Sequence, residues 1–232
     1  MECIILAGGL GTRLRGTIGD YPKCMAPVNE RPFLHYLFVY LQQQGCSRVV
    51  LSLGYKHEII TGWLEQNQWP FEISWVIEEE PLGTGGGIQL ALRAAKDADV
   101  AVLNGDTLFR VDLAEQFAAH RAAEASATLA LKRMTNFSRY GVVNEDEAHR
   151  ICSFEEKQQR ESGLINGGVY ILNKNYLLGK NLPEKFSFEK DFLEAYVGER
   201  AFLAYTSEAY FIDIGIPEDY LQVQEDFKTL FA

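Results

Sequence analysis

Along the first half of the chain, short apolar runs alternate with longer stretches that are apolar on one face only. Cys3-Ile4-Ile5-Leu6, Arg48-Val49-Val50-Leu51-Ser52-Leu53, Phe71 to Ile77 and Val100-Ala101-Val102-Leu103 have the length and composition of strands. Between them, Arg31 to Gln44 carries Phe33, Leu34, Leu37, Phe38 and Leu41 on one helical face, and Gly45 ends it. Further helices are predicted near His57 to Gln66 and over Gly85 to Ala95. Strands separated by helices of this length form a parallel sheet with right-handed crossovers. The second half is more mixed. Ala127 to Lys132, Tyr140 to Val143, Ile165 to Leu172 and Ala201 to Tyr205 read as strands. Ser187 is placed to cap a helix carrying Phe188, Phe192 and Leu193, with Glu189 in its first turn, and Pro217 to Leu230 is a closing helix. The expected fold is α/β: a Rossmann-like, mixed and mainly parallel sheet flanked by helices. No repeat, low-complexity stretch or linker interrupts it, so residues 1–232 read as one domain whose later strands extend the sheet.

Composition narrows the setting. Of 232 residues 47% are hydrophobic, yet no apolar run approaches the roughly 18 residues of a membrane span. The N-terminus enters a strand with no basic head or cleavage site, which predicts a cytoplasmic protein with no membrane partner. Cys3, Cys24, Cys46 and Cys152 lack paired spacing, which suits a reducing compartment better than disulfides or zinc. Cys24, beside Lys23, reads as a small filler rather than a reactive thiol. A net charge of −10 excludes a nucleic-acid partner, which would need a basic face. It does not exclude a small anion held by a local cluster such as Arg13, Arg15 and Lys23.

That cluster belongs to the most informative stretch, Leu6-Ala7-Gly8-Gly9-Leu10-Gly11-Thr12-Arg13-Leu14-Arg15, directly after the first strand. Glycines there let the backbone turn tightly and approach a ligand, and Arg13 and Lys23 bring positive charge to the turn. A triphosphate is the obvious ligand. No Walker loop is present, and the dinucleotide pattern that starts at Gly9 and Gly11 has Leu14 in its third glycine position. In open sheets ligands bind beyond the carboxyl ends of strands, so the glycine turn and Asp106, which follows Asn104-Gly105 after a strand, fall at the same edge.

With Pro22-Lys23, the segment Ala7-Gly8-Gly9-Leu10-Gly11-Thr12-Arg13-Leu14 resembles the signature of the sugar-1-phosphate nucleotidylyltransferases, and further matches extend the resemblance over nearly the whole chain. The resemblance implies the nucleotide-diphospho-sugar transferase fold, with a nucleotide-binding part over about residues 1–125 and a sugar-binding part over about 126–232. It also implies GTP and a sugar 1-phosphate as partners and Mg2+ as cofactor; a homodimer is the assembly considered. Arg13, Lys23, Asp106 and Asp213 match the catalytic groups, the two aspartates as magnesium ligands. Asp213 stands as a lone acid in Phe211-Ile212-Asp213-Ile214, a costly place for a carboxylate without a cation or metal. Each aspartate keeps an ordinary alternative: Asp106 as a turn former, Asp213 as a cap of the Pro217 helix.

Leu6, Ala7, Gly8, Gly9, Gly11, Thr12, Glu78, Gly83 and Thr84 match the nucleotide-binding positions. In Glu78-Glu79-Glu80-Pro81-Leu82-Gly83-Thr84-Gly85-Gly86 the glycines suggest a flat group, such as a base, against bare backbone. A carboxylate only accepts hydrogen bonds, and guanine's pairing edge offers two adjacent donors, so Glu78 favours GTP; which glutamate of the triplet reads the base stays open. Asn104, Gly141, Glu156, Lys157 and Asn166 match sugar-phosphate positions, although Glu-Glu-Lys alone would pass for a solvated cluster and Asn166-Gly167 for a turn. Several details resemble the branch of the family that acts on heptose 1-phosphates, with short mannose-1-phosphate enzymes as the nearest alternative. A non-catalytic nucleotide-sugar sensor should lack one of the four catalytic groups. A glycosyltransferase should have closely spaced aspartates after a strand, and Asn104-Gly105-Asp106 offers one.

Overall fold

The computed structural model describes residues 1–9, 16 and 19–231. Strand β1 (Glu2–Ala7) precedes a ribbon of β2 (Pro27–Val28) and β3 (Arg31–Pro32). Then come α1 (Phe33–Gln43), β4 (Arg48–Leu53), α2 (His57–Gln66), β5 (Glu72–Ile77), α3 (Gly83–Ala94) and β6 (Asp99–Asn104). The later part contains β7 (Thr107–Phe109), α4 (Leu113–Ala122), β8 (Ala127–Phe137), β9 (Val142–Glu145), β10 (Ile151–Glu155), β11 (Arg160–Asn173) and α5 (Lys174–Leu178). A π-helix (Phe188–Glu194), β12 (Phe202–Ser207), β13 (Phe211–Asp213) and α6 (Pro217–Leu230) complete it. No helix among the described residues is long and apolar enough to cross a membrane.

The main sheet has nine strands, in the order β10-β9-β11-β6-β1-β4-β5, with β8 against β11 and β12 against β8. β6, β1, β4 and β5 run parallel, each linked by a helix as the alternating pattern requires. β11 joins β6 antiparallel, so the chain's two halves meet inside one hydrogen-bonded ladder. This is the mixed, mainly parallel sheet expected from the sequence.

Successive side chains of a strand point to opposite faces, and both faces here are covered. Cys3, Ile5, Val49, Leu51, Ala101 and Leu103 pack beneath α1, α2, α4 and α6. Ile4, Val50, Val100, Val102, Leu129 and Tyr170 pack beneath α3, α5 and the π-helix. Ser187 caps that helix, its hydroxyl accepting from the Lys190 amide at 3.2 Å, and Phe188, Phe192 and Leu193 are buried as expected. The winding is π, not α. Beyond the sequence prediction, the structure adds the β2–β3 ribbon, α4, β10, α5 and β7, and pairs β7 with the apolar strand around Asp213, which is β13.

Candidate active site

The parallel register lines up the places where strands end. Leu6 stands opposite Ser52 and Asn104, and Leu53 opposite Ile77. Gly8, Gly54, Gly105 and Glu78 therefore leave the sheet along one edge. Gly105 crosses β1 closely: its amide donates to the Leu6 carbonyl at 2.9 Å, and a Cβ on it would meet that oxygen at 2.5 Å. This crossing carries Asp106 over the end of β1. The chain then turns into β7, which pairs antiparallel with β13 so that Thr107 faces Asp213. The Ile214 amide donates to the Asp106 carbonyl at 3.0 Å. A three-residue ribbon thus brings together two acids far apart in sequence.

Lys23 completes the cluster. Pro22, at φ −55°, leads into a 3-10 turn over Lys23–Met25. The Lys23 Nζ lies 2.5 Å from Asp106 Oδ2 and 3.4 Å from Asp213 Oδ1. Its side chain is 14% exposed, so it is no freely solvated cation. Burial and the neighbouring Asp106 raise the Asp213 carboxyl, while Lys23 and Arg139 pull it back down. Two carboxylates sharing one ammonium make an oxygen donor set that fits a hard divalent cation, which needs few protein ligands and keeps its waters. Asp213 does not cap the closing helix: α6 begins at Pro217 behind Ile216 with no side-chain cap. Cys24, next to the cluster, is 3% exposed, and burial together with Asp106 pushes its thiol up to about 12. It is neutral filler, as expected.

A cavity of about 310 Å³ opens at this edge. Leu6, Ala7, Gly8, Gly9, Lys23, Asp106, Glu78, Gly83 and Thr84 line it, which brings most of the anticipated nucleotide positions into one cleft. Gly11, Thr12 and Arg13 lie outside the described residues. Of the glutamate triplet only Glu78 faces the cavity; Glu79 and Glu80 are exposed. Glu78 Oε1 accepts from the Ser52 hydroxyl at 3.0 Å and Oε2 from the Leu82 amide at 3.2 Å, which fixes the carboxylate under the glycine turn. Gly83 adopts φ +74°, a conformation that favours glycine. The expectation of a base against the run from Gly83 to Gly87 is corrected in its middle: Gly83 and Gly87 line the cavity, while Gly85 packs on the chain's own Phe186 ring and Gly86 on the backbone of Glu184. A Cβ on Gly85 would fall 2.2 Å from the Phe186 ring, and one on Gly86 2.3 Å from the Glu184 carbonyl oxygen. Thr84 is tied to the same crossing segment, its hydroxyl accepting from the Phe188 amide at 3.1 Å.

A second cavity, of about 160 Å³, gathers Gly141, Glu156, Lys157 and Asn166. Asn104 is not among them; it lines the larger cavity beside Asp106. Asn166 sits where β11 slips its register against β8, between Asn166 and Tyr170, and Gly168 has φ +72° there. Its Oδ1 accepts from the Gly168 amide and its Nδ2 donates to the Tyr170 hydroxyl, both at 3.0 Å. The bulge therefore aims an oriented amide at the cavity. Tyr140 and, from the π-helix, Glu189, Lys190 and Glu194 also line this cavity. None of the four carries a site role in the sequence, where Glu189 reads only as a first-turn acid. Tyr140 was findable as the neighbour of Gly141; the three helix residues carry no local signal.

The chain is similar to known proteins along almost its whole length. A family model described as Nucleotidyl transferase matches residues 2–229. The D-glycero-alpha-D-manno-heptose 1-phosphate guanylyltransferase of Aneurinibacillus thermoaerophilus is 49% identical over 228 residues, covering 98% of this chain and 99% of that protein. The mannose-1-phosphate guanylyltransferase of Mycobacterium tuberculosis is 32% identical, over 97% of this chain but 64% of its own length. The crystal structure of HddC from Yersinia pseudotuberculosis complexed with GMP-PN superposes with a TM-score of 0.86 at 38% identity, covering 97% of this chain and 99% of that one. With a cation between two acids at the strand ends and a match along almost its whole length, the chain belongs to the nucleotidyl transferase family.

Proposed function

We propose that the protein transfers GMP from GTP to a sugar 1-phosphate, D-glycero-α-D-manno-heptose 1-phosphate, releasing pyrophosphate and giving a GDP-sugar for bacterial surface glycans. The near full-length identity to the Aneurinibacillus guanylyltransferase supports the base and the sugar, and the 32% identity to a mannose-1-phosphate enzyme makes a hexose the weaker choice. One observation carries the chemistry: Lys23 lies between Asp106 and Asp213 at the carboxyl edge of the sheet, within the same cleft as the glycine turn.

An oxygen of the sugar phosphate attacks the α-phosphorus of GTP, and the bond to the β-phosphate breaks with its electron pair leaving on pyrophosphate. Both reactants are anions, so the protein's work is neutralisation and alignment. Lys23, with Arg13, offsets charge at the α-phosphate. Asp106 and Asp213 would hold Mg2+, which when bound supplies further neutralisation of the phosphates. Glu78 accepts from the two adjacent donors of guanine, while the Gly83 backbone flanks the base. Glu156, Asn166 and the Gly141 backbone meet sugar hydroxyls, and Lys157 meets the 1-phosphate. The nucleotide part, about residues 1–125, and the sugar part, about 126–232, work as one domain in the cytoplasm, where GTP is available.

The test is pyrophosphate release by purified protein from each of GTP, UTP, CTP and dTTP against a panel of heptose and hexose 1-phosphates. Fastest turnover with GTP and the heptose phosphate is expected. Preference for another triphosphate, or for mannose 1-phosphate, would overturn the corresponding half of the assignment.

A further inference from the structure

Arg139, in the loop between β8 and β9, is the second cation at the acid pair. Its Nη1 donates to Asp219 Oδ2 at 2.6 Å, its Nη2 donates to the Tyr140 hydroxyl at 3.0 Å, and that same Nη2 lies 3.9 Å from Asp213 Oδ2. The guanidinium also stands over the Tyr140 ring, 5.3 Å from its centroid. Asp213 therefore faces a different cation with each oxygen: Oδ1 toward Lys23, Oδ2 toward Arg139. Asp219, the anchor for Arg139, sits in the first turn of α6, where a carboxylate is favoured by the helix dipole. Tyr140, the other anchor, lines the smaller cavity.

We propose that Arg139 is a positioning residue for nucleotidyl transfer, fixing the rotation of the Asp213 carboxylate and linking it to Tyr140 at the wall of the sugar cavity. This rests on the function proposed above. Asp106 and Asp213 repel each other, and Lys23, which lies between them, must also meet a polyanionic substrate. A guanidinium behind Asp213 relieves that conflict from a place fixed by Asp219 and Tyr140, which each take one of its donors. By holding Oδ2 it leaves Oδ1 facing Lys23 and any divalent cation. The planar fork matters: lysine has the charge but cannot span carboxylate, phenol and second carboxylate in one fixed geometry. Through Tyr140 the same group connects the acid pair to the place where the sugar phosphate must sit.

The test compares wild type with Arg139→Met, Arg139→Lys and Asp219→Asn. Mn2+ binding without substrates, kcat, and KM for each substrate are measured alongside Tm. Expected for Arg139→Met are Mn2+ affinity weakened about fivefold, a value typical of one partly exposed ion pair, a lower kcat and a higher sugar-phosphate KM, with GTP KM unchanged. Arg139→Lys and Asp219→Asn should fall between it and wild type. The proposal is overturned if Arg139→Met keeps wild-type Mn2+ affinity and kcat. It is equally overturned if Arg139→Met merely unfolds while Arg139→Lys and Asp219→Asn match wild type in both. A wild type that neither binds Mn2+ nor releases pyrophosphate would instead refute the proposed function, so the two failures are distinct.

Discussion

Lys23, Asp106 and Asp213 are partly exposed, with side chains 14%, 33% and 24% accessible, so removing one disturbs charge far more than packing. Lys23→Ala leaves two carboxylates facing an incoming triphosphate without their shared cation. Asp213→Asn replaces one of the two carboxylates that suit a divalent ion with a neutral amide. Each variant is expected to lose about a hundredfold or more in kcat, the scale of losing one preorganised electrostatic group, while Tm stays near that of wild type. Near wild-type turnover in either would remove its assigned role. Glu78→Gln tests the base. Its carboxylate now accepts from Ser52 and from the Leu82 amide, whereas an amide has one oxygen and two donors. The ratio of kcat/KM for GTP over UTP should fall about tenfold, since bonds to a charged acceptor are worth roughly 1.5–3 kcal/mol; an unchanged ratio would move base reading elsewhere. Asp106 and Glu78 were legible because an acid directly after an apolar run must emerge at the ligand edge of a parallel sheet; Lys23 and Asp213 were marked by the family resemblance. Arg139 was not. A lone arginine in a loop looks like any solvated cation until β13 and α6 are placed beside it. Gly85 and Gly86 were misread because bare backbone signals close approach without naming what approaches.

Among the elements, the main-sheet strands of the first half and the helices between them were readable from apolar runs and helical period. The missed ones are those whose periodicity is weak. In α4, Leu113 and Phe117 are the large apolar residues among four alanines, Glu115, Gln116, His120 and Arg121. β7 has three residues, too few to show alternation. In the π-helix, Phe188, Phe192 and Leu193 suit an α-helix equally well, so winding was invisible. The position of α4 carries a pH prediction. His120 is 2% exposed and its Nδ1 lies 2.8 Å from the Thr128 hydroxyl on β8. Burial lowers its proton affinity below the ordinary 6.5, against a smaller opposing pull from Asp99. The unfolded chain therefore binds this proton more readily than the folded one. Stability is full above about pH 6.5 and falls as pH drops from there toward the lowered folded value. His35, also shifted down by burial, adds in the same direction. Thermal melts from about pH 7.5 to about 5.5 should show a smaller drop in Tm for His120→Gln than for wild type; equal drops would mean His120 does not carry the effect.

The join between the two halves governs how the protein unfolds. All three tryptophans, Trp63, Trp69 and Trp75, lie in the first half, so their fluorescence reports on that half alone, whereas far-UV circular dichroism reports on both. Two-state unfolding is the rule only below about 150 residues, and this chain is longer. Several contacts nonetheless oppose separate melting. β11 pairs with β6 over Val169 to Asn173, so splitting the halves would leave an open sheet edge in each. Phe227 of the last helix stacks on Phe33 of the first at 5.8 Å between ring centroids, inside one core. Asn29, in the turn between β2 and β3, donates two hydrogen bonds to Gln224 of α6: its amide to Oε1 at 3.0 Å and its Nδ2 to the backbone carbonyl at 2.9 Å. Lys23 and the β7–β13 ribbon hold Asp106 and Asp213 together. Urea titrations followed by tryptophan fluorescence and by circular dichroism are therefore expected to share one midpoint. GTP with Mg2+, which binds only the folded state, should raise both together. An earlier fluorescence midpoint would instead mean that the nucleotide half melts by itself and that the catalytic carboxylates belong to two separately folding bodies.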